Sequence, residues 1–264
     1  MIDPRAVQAL AGLIRTKRTH QRACLIGGQA LLDLYGSLRV RIGPHIPAVR
    51  ASSDLDLLLA LGMDAESDRA LSLLLNEDWT LKDGQPATYV WRRDTSIELD
   101  LATTYDDGEE TARTAKITAS GTGKVRAYRM IPLWLYRLNL IEPCHTTELR
   151  TIGLERLRHG ALLVSKLLAV DASMTALATP EPPSWTARLS RDLADVLYLT
   201  DRSLRQSLWD AACQAAKPSL QQHLAPVIDR LRTSRDSLSR LDPETQRHYR
   251  TMIDGFPFWW NTNS

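Results

Sequence analysis

The sequence predicts an α+β protein, in which a mixed-sheet domain is followed by a mostly α-helical C-terminal domain. Two patterns carry this expectation. Up to about residue 145, short apolar runs bounded by glycine or polar residues alternate with stretches of helical period. From Gly153 onward, apolar residues recur at helical spacing, apart from a proline-rich break at 179–185. We therefore expect one domain over residues 1–148 and a second over 149–264.

Composition narrows the class of protein. The chain has 264 residues, 44% hydrophobic and 24% charged, which is typical of a globular protein. It lacks the roughly 18 consecutive apolar residues of a membrane span and the start of a secretory signal, so we expect a cytoplasmic protein with no membrane partner. The three cysteines show no paired spacing, and a net charge of +2 provides no general basic field. Any contact with RNA must therefore be local.

The elements of the first domain follow from their local patterns. We expect a helix through Thr16, and a second helix that follows Gly27–Gly28 and closes at Gly36. After these helices we expect a strand at 52–61 and a helix at 64–79. Two strands at 87–93 and 95–103 are expected to form a hairpin around Asp94–Thr95. Residues 104–124 are predicted to be a polar loop, and 125–140 fit either a strand or a helix.

Two aspartates stand one residue apart in the apolar run "SSDLDLLLAL". Side chains at i and i+2 of a strand share a face, so Asp54 and Asp56 are expected to point the same way. Buried carboxylates are costly unless they are paired or bind a metal. Glu98 and Asp100 form a similar pair on a later strand. Because carboxylate oxygens suit Mg²⁺ or Mn²⁺, Asp54, Asp56 and a third carboxylate from this later pair could hold two metals for in-line phosphoryl displacement.

Gly27 and Gly28 precede the second helix. Glycine lets backbone N–H groups approach a phosphate, and a helix N-terminus favours negative charge. Each element alone also fits a common turn or a solvated strand face. Their order along the chain favours a site for a nucleoside triphosphate.

The run of strand, Gly-Gly, helix, Asp-x-Asp and a later lone acidic residue resembles the signature of the DNA polymerase β-like nucleotidyltransferase superfamily. Within it, "LIGGQALLDLYG" and "RASSDLDLLL" are most similar to the AbiEii-type toxins of bacterial toxin–antitoxin and phage-defence systems. The positions that match are Gly27, Gly28, Ala30, Leu31, Arg50, Ser52, Asp54 and Asp56.

The resemblance extends into the helical half of the chain. The family carries a lysine in an apolar helix and then a basic-Asp-x-x-Asp motif, and Lys166 with Arg191, Asp192 and Asp195 stands in that order. The resemblance implies that Lys166 lies in a helical domain that closes over the site, where it binds phosphate or the acceptor. Asp192 would orient the side chain of Lys166. A lysine that snorkels to the surface from a helix edge is the alternative.

The resemblance also implies a reaction. Asp54 and Asp56 would bind the metals, and Asp100 would help bind one and take a proton from an acceptor hydroxyl. Gly27, Gly28, Arg50, Ser52, Lys166 and Asp192 would contact the nucleoside triphosphate. The implied acceptor is RNA, above all the 3′ end of tRNA, and the implied partner is an antitoxin. The arginines expected to engage RNA are Arg126, Arg129, Arg156 and Arg158.

Two other functions fit the same residues. A nucleotidyltransferase of this kind can take a small molecule such as an aminoglycoside as acceptor, and the acidic stretch around Asp106, Asp107, Glu109 and Glu110 would attract a cationic one. A nucleotide-binding or interaction module without catalysis is the other alternative. Intact carboxylates at the predicted metal site count against it.

Overall fold

The computed structural model of the protein describes residues 4–15, 23–38, 54–59, 77–85, 87–106, 114–119, 123–177, 184–201 and 209–260. These residues form two compact units, which meet in sequence at Arg158 and His159. The first contains a mixed β-sheet and the second is helical, which confirms the α+β class.

The first unit combines short helices with the sheet. Its strands are β1 (Ala23–Ile26), β2 (Asp54–Leu59), β3 (Trp79–Leu81), β4 (Thr88–Trp91), β5 (Asp94–Tyr105), β6 (Thr114–Ala119), β7 (Gly123–Pro132), β8 (Ile141–Pro143) and β9 (Glu155–Leu157). Its helices are α1 (Pro4–Arg15), α2 (Gly27–Leu38), α3 (Leu133–Arg137) and α4 (Thr147–Thr151).

Strand β5 pairs with three other strands of the sheet, β4, β2 and β7. The strand order is β3-β4-β5-β2-β1-β9-β8, and β7 pairs with the later part of β5 and with β6. The β2/β5, β5/β7 and β1/β9 pairs are parallel, whereas β1/β2, β3/β4, β4/β5, β6/β7 and β8/β9 are antiparallel. Leu57 and Leu101 are at most 1% exposed, so β2 and β5 run through the core.

Several expectations for the first unit need correction. Helix α2 continues past Gly36 to Leu38, and the hairpin turn lies at Arg92–Arg93 because Asp94 already pairs with Trp91. The polar stretch at 104–124 contains strand β6, which is stabilised by pairing with β7. The helix expected at 64–79 lies outside the described residues up to 76, and Trp79 begins β3.

The expected boundary between residues 148 and 149 falls before the last strand of the sheet. Strand β9 pairs in parallel with β1, so the sheet unit extends to Arg158. Residues 155–157 had been expected to belong to a helix, since "LERLRHGALLVSKLLAV" has helical spacing. Residues 155–157 form a strand because their backbone pairs with β1, a partner that no local pattern reports.

The second unit contains α5 (His159–Leu177), α6 (Ser184–Leu199), α7 (Ala211–Thr233), a 3₁₀ helix (Ser234–Arg240) and α8 (Pro243–Trp260). Helix α5 packs against α6 and α7, and α8 packs against α6. Helix α7 is continuous through Pro218.

Helix α5 is the most apolar of the described helices. By length and composition it could cross a membrane, but 61% of its apolar window is buried inside the protein. Such burial is typical of a core helix.

Candidate active site

The acidic residues of β2 and β5 lie in register on adjacent parallel strands. Asp54 pairs with Glu98 along the backbone, and Asp56 pairs with Asp100. Paired residues on neighbouring strands share a face of the sheet, and the strands are about 4.8 Å apart. Asp56 and Asp100 are both half-buried. The structure therefore brings these two carboxylates side by side, while the side chain of Asp54 lies outside the described residues.

This pair of carboxylates suits a divalent cation. Mg²⁺ and Mn²⁺ prefer carboxylate oxygens and complete their coordination with water and substrate phosphates. Among the described side chains, no group of three or more His, Cys, Asp or Glu is arranged to hold a metal. The expected third ligand, Asp54, is not among those side chains. The chemistry of the donors fits the expected cation, and Asp56 and Asp100 would be its described ligands.

Glu98 and Asp100 share a face of β5 but have different partners. The Nζ atom of Lys82 lies 2.6 and 2.7 Å from the two carboxylate oxygens of Glu98. The hydroxyl of Thr88, which is 3% exposed, donates a hydrogen bond to Oδ1 of Asp100. An ammonium compensates the charge of its carboxylate, whereas a hydroxyl does not. A cation at Glu98 would have to compete with the ammonium of Lys82.

Gly27 begins α2 directly beside Asp56. Ile26, the last residue of β1, pairs with Asp56 across the antiparallel ladder. Gly27 has φ of 65°, and a Cβ there would lie 2.0 Å from Oδ2 of Asp56. A side chain is thus excluded both by backbone conformation and by space. The carboxylate of Asp56 lies against the first residue of α2, and Gly28 follows in its first turn.

A buried charge network anchors α2 to the rest of the sheet unit. Asp33 on α2 and Arg156 on β9 are both fully buried, and Nε of Arg156 lies 2.9 Å from Oδ2 of Asp33. The backbone N–H groups of His145 and Thr146 also donate to Asp33, each at 2.8 Å. The position of α2 on the sheet, and hence of Gly27, depends on these bonds.

Asp33 carried no signal in the sequence, and Arg156 was predicted to have a different role. Arg156 was expected to engage RNA, but its side chain is 0% exposed and also lies 2.7 Å from Glu142, so that expectation is wrong. The local sequence provided no clear signal for this burial, because its spacing favoured a helix over residues 155–157 and not strand β9. Arg158 is partly exposed and pairs with Glu142 at 3.2 Å. The side chains of Arg126 and Arg129 lie outside the described part of the chain.

Lys166 lies in a second charge cluster, within the helical unit. Its Nζ atom on α5 is 3.0 Å from Asp192 and 2.7 Å from Asp195, both on α6. Burial disfavours the ammonium charge, but the two carboxylates outweigh burial and raise the pKa of Lys166 above its ordinary value. The residue is 8% exposed, so the alternative of a snorkelling surface lysine is wrong.

The pairing of Lys166 limits how it can bind phosphate. Two carboxylates already balance its charge, and Arg188 lies 3.8 Å from Asp192 on the outer side. Pulling a buried lysine away from its partners would leave uncompensated carboxylates, at a cost of several kcal/mol. Lys166 therefore forms a fixed, charged link between α5 and α6.

The other candidate residues contribute less. Arg50 and Ser52 lie outside the described residues. Cys24, Cys144 and Cys213 are buried free thiols, and burial raises the pKa of Cys213 to about 12. His159 lies 2.9 Å from the carbonyl oxygen of Leu199, as in a structural histidine.

None of the protein-family models, curated proteins or solved structures compared with this chain matches it. The sequence motifs and the geometry of the sheet unit are therefore the basis for a proposed function.

Proposed function

We propose that the chain is a metal-dependent nucleotidyltransferase, which moves a nucleoside monophosphate from a nucleoside triphosphate to an acceptor hydroxyl. The observation that supports this proposal is the approach of Asp56 to both Asp100 and Gly27. Two half-buried carboxylates in register, beside a glycine at the start of a helix, combine a cation site with backbone N–H groups suited to phosphate.

Each residue then has a chemical role. Asp54, Asp56 and Asp100 would bind Mg²⁺ or Mn²⁺, which when bound stabilises negative charge on the phosphates. Asp100 accepts the proton of the acceptor hydroxyl, and the acceptor oxygen attacks the α-phosphorus. The bond between the α- and β-phosphates breaks, and pyrophosphate leaves. Gly27 and Gly28 contribute close backbone approach to the triphosphate.

The sequence resemblance supports RNA as the acceptor, with the 3′ end of tRNA as the first candidate. Modified tRNA ends would prevent aminoacylation and stop growth, so the chain would act as the toxin of a toxin–antitoxin or phage-defence pair. An antitoxin encoded with it would be the controlling partner.

One experiment tests the reaction and its acceptor together. Purified protein is incubated with Mg²⁺ or Mn²⁺, each labelled nucleoside triphosphate, and either total RNA or a panel of aminoglycosides. The proposal expects label on tRNA with wild type and none with Asp54→Ala. Label on an aminoglycoside alone would replace RNA with a small-molecule acceptor, and no label on any acceptor would refute the transferase.

Expression in cells gives an independent test of the toxin role. Wild type expressed without an antitoxin should slow growth and leave extra 3′ nucleotides on extracted tRNA, whereas Asp54→Ala should do neither. RNA binding should weaken as salt rises, because bound phosphates release counterions. Harmless expression of an active protein would refute the toxin role and leave the transfer chemistry intact.

A further inference from the structure

We propose that Thr88 is a positioning residue of the acidic site, which fixes the orientation of the Asp100 carboxylate for metal binding. This inference rests on the proposed function and adds a residue that neither the motifs nor the resemblance contains. Thr88 does not touch the substrate in this proposal. It acts through Asp100.

The hydroxyl of Thr88 reaches Asp100 across the β4/β5 ladder. Thr88 and Asp100 are register partners in this antiparallel pair, and Oγ1 of Thr88 donates to Oδ1 of Asp100. Thr88 is 3% exposed, so water does not compete freely for this bond. A carboxylate otherwise rotates through a broad range about its last torsion. The hydrogen bond selects one orientation of the Asp100 carboxylate, beside Asp56 on strand β2.

Backbone hydrogen bonds of the hairpin between β3 and β4 hold Thr88 in place. The N–H of Lys82 donates to the carbonyl of Thr88 at 2.9 Å, and the N–H of Gln85 donates to the carbonyl of Lys82 at 3.1 Å. The turn from Lys82 to Gln85 includes Gly84 with φ of 73°, a conformation that glycine adopts without strain. Thr88 is thus anchored to the turn as well as to β5.

The same hairpin also separates the roles of the two carboxylates on β5. Lys82 binds Glu98 at one end of the hairpin, while Thr88 binds Asp100 two residues further along β5. The carboxylate of Glu98 is paired with the ammonium of Lys82. The carboxylate of Asp100 accepts a hydrogen bond that fixes its orientation, as carboxylate ligands of metals commonly do.

The test measures Mn²⁺ binding to the full chain by electron paramagnetic resonance, with no nucleotide present. Thr88→Val removes the hydroxyl at nearly constant shape and should weaken Mn²⁺ affinity about tenfold. Thr88→Ser retains the hydroxyl and should bind within about threefold of wild type. The matched control is Thr103→Val on β5, where the buried hydroxyl has no hydrogen-bond partner among the described residues. This control should bind Mn²⁺ as wild type does.

Equal Mn²⁺ affinity in wild type and Thr88→Val would overturn the positioning role, as would equal weakening in Thr88→Ser. Thr88→Ala serves as a second variant without the hydroxyl. If neither Thr88→Val nor Thr88→Ala folds, as judged by thermal unfolding, the hydroxyl is needed for folding and the proposal is overturned.

Nucleotide transfer separates this inference from the proposed function. If Thr88→Val loses Mn²⁺ affinity but wild type transfers no nucleotide, the function fails and the positioning role stands. If wild type transfers nucleotide and Thr88→Val matches it in binding and rate, the positioning role fails and the function stands. Restoration of transfer in Thr88→Val by excess Mn²⁺ supports positioning, because a general structural defect would not respond to metal. Absence of Mn²⁺ binding by wild type would overturn the inference.

Discussion

Oδ2 of Asp56 lies 2.0 Å from the point that a Cβ of residue 27 would occupy. Strand β2 and the start of α2 therefore approach as closely as a glycine allows. This contact brings the aspartate motif against the glycine motif, although Gly27 and Asp56 are about thirty residues apart in the sequence.

The first prediction concerns Gly27 and uses Gly153 as its control. Both have positive φ, 65° and 76°, but a Cβ at Gly153 would meet nothing within 4 Å. Gly153→Ala should reduce the free energy of unfolding by about 1–2 kcal/mol through backbone strain alone. Gly27→Ala should lose about 1–3 kcal/mol more, because of the clash with Asp56. Urea denaturation measures both, and equal losses would contradict the close approach.

The second prediction concerns the carboxylates. Asp56→Ala and Asp100→Asn should abolish nucleotide transfer, because each removes a metal-binding oxygen. Asp56→Ala should hold or raise the melting temperature in EDTA, since it relieves repulsion between neighbouring carboxylates. Glu98→Gln is the matched control and should retain most of the transfer, because Lys82 already compensates Glu98. Loss of transfer in Glu98→Gln with full activity in Asp100→Asn would reverse the assignment.

The third prediction concerns the Lys166 cluster. Lys166→Met leaves Asp192 and Asp195 buried without their cation and should cost about 3–5 kcal/mol of unfolding free energy. Lys82→Met removes a partly exposed ion pair and should cost about 1 kcal/mol or less. Denaturant unfolding at neutral pH compares the two. A small loss of unfolding free energy in Lys166→Met would show that Lys166 does not compensate the charges of the two buried aspartates.

The pH dependence of stability gives a related test. The pKa of Lys166 is raised on folding, so the stability from its charge is fully present below its ordinary value of 10.5. That stability is lost as pH rises through the higher folded value. Wild type should therefore lose more unfolding free energy above pH 10.5 than Lys166→Met does. Parallel curves for the two proteins would contradict the raised pKa.

The fourth prediction concerns Arg156, with Arg158 as its control. Arg156→Met should destabilise the protein by about 3–5 kcal/mol, because Asp33 and Glu142 lose a buried cation. Arg158→Met removes a partly exposed pair and should cost about 1 kcal/mol or less. Urea titrations provide the comparison. If Arg156→Met kept its stability while weakening RNA binding, the expected RNA contact would be restored.

The main elements of the sheet were predictable because strand and helix periods are local properties of the sequence. Alternation of apolar and acidic residues in "DLDLLL" and "SIELDL" indicates which residues share a face before any partner is known. Strands β6 and β9 were missed for the opposite reason. Each is stabilised by pairing with a distant strand, β7 or β1, which a local period does not report.

By itself, the sequence determined the α+β class, the two acidic strands and the glycine pair beside α2. These follow from side-chain alternation and helical spacing, which act over a few residues. Only the tertiary structure decided that Asp100 has a hydroxyl partner while Glu98 has a cation, and that Arg156 is buried against Asp33. Such partners come from segments distant in sequence, and the paired strands and the chain path bring them together. Local patterns indicate which face a residue occupies, whereas long-range packing determines what lies against it.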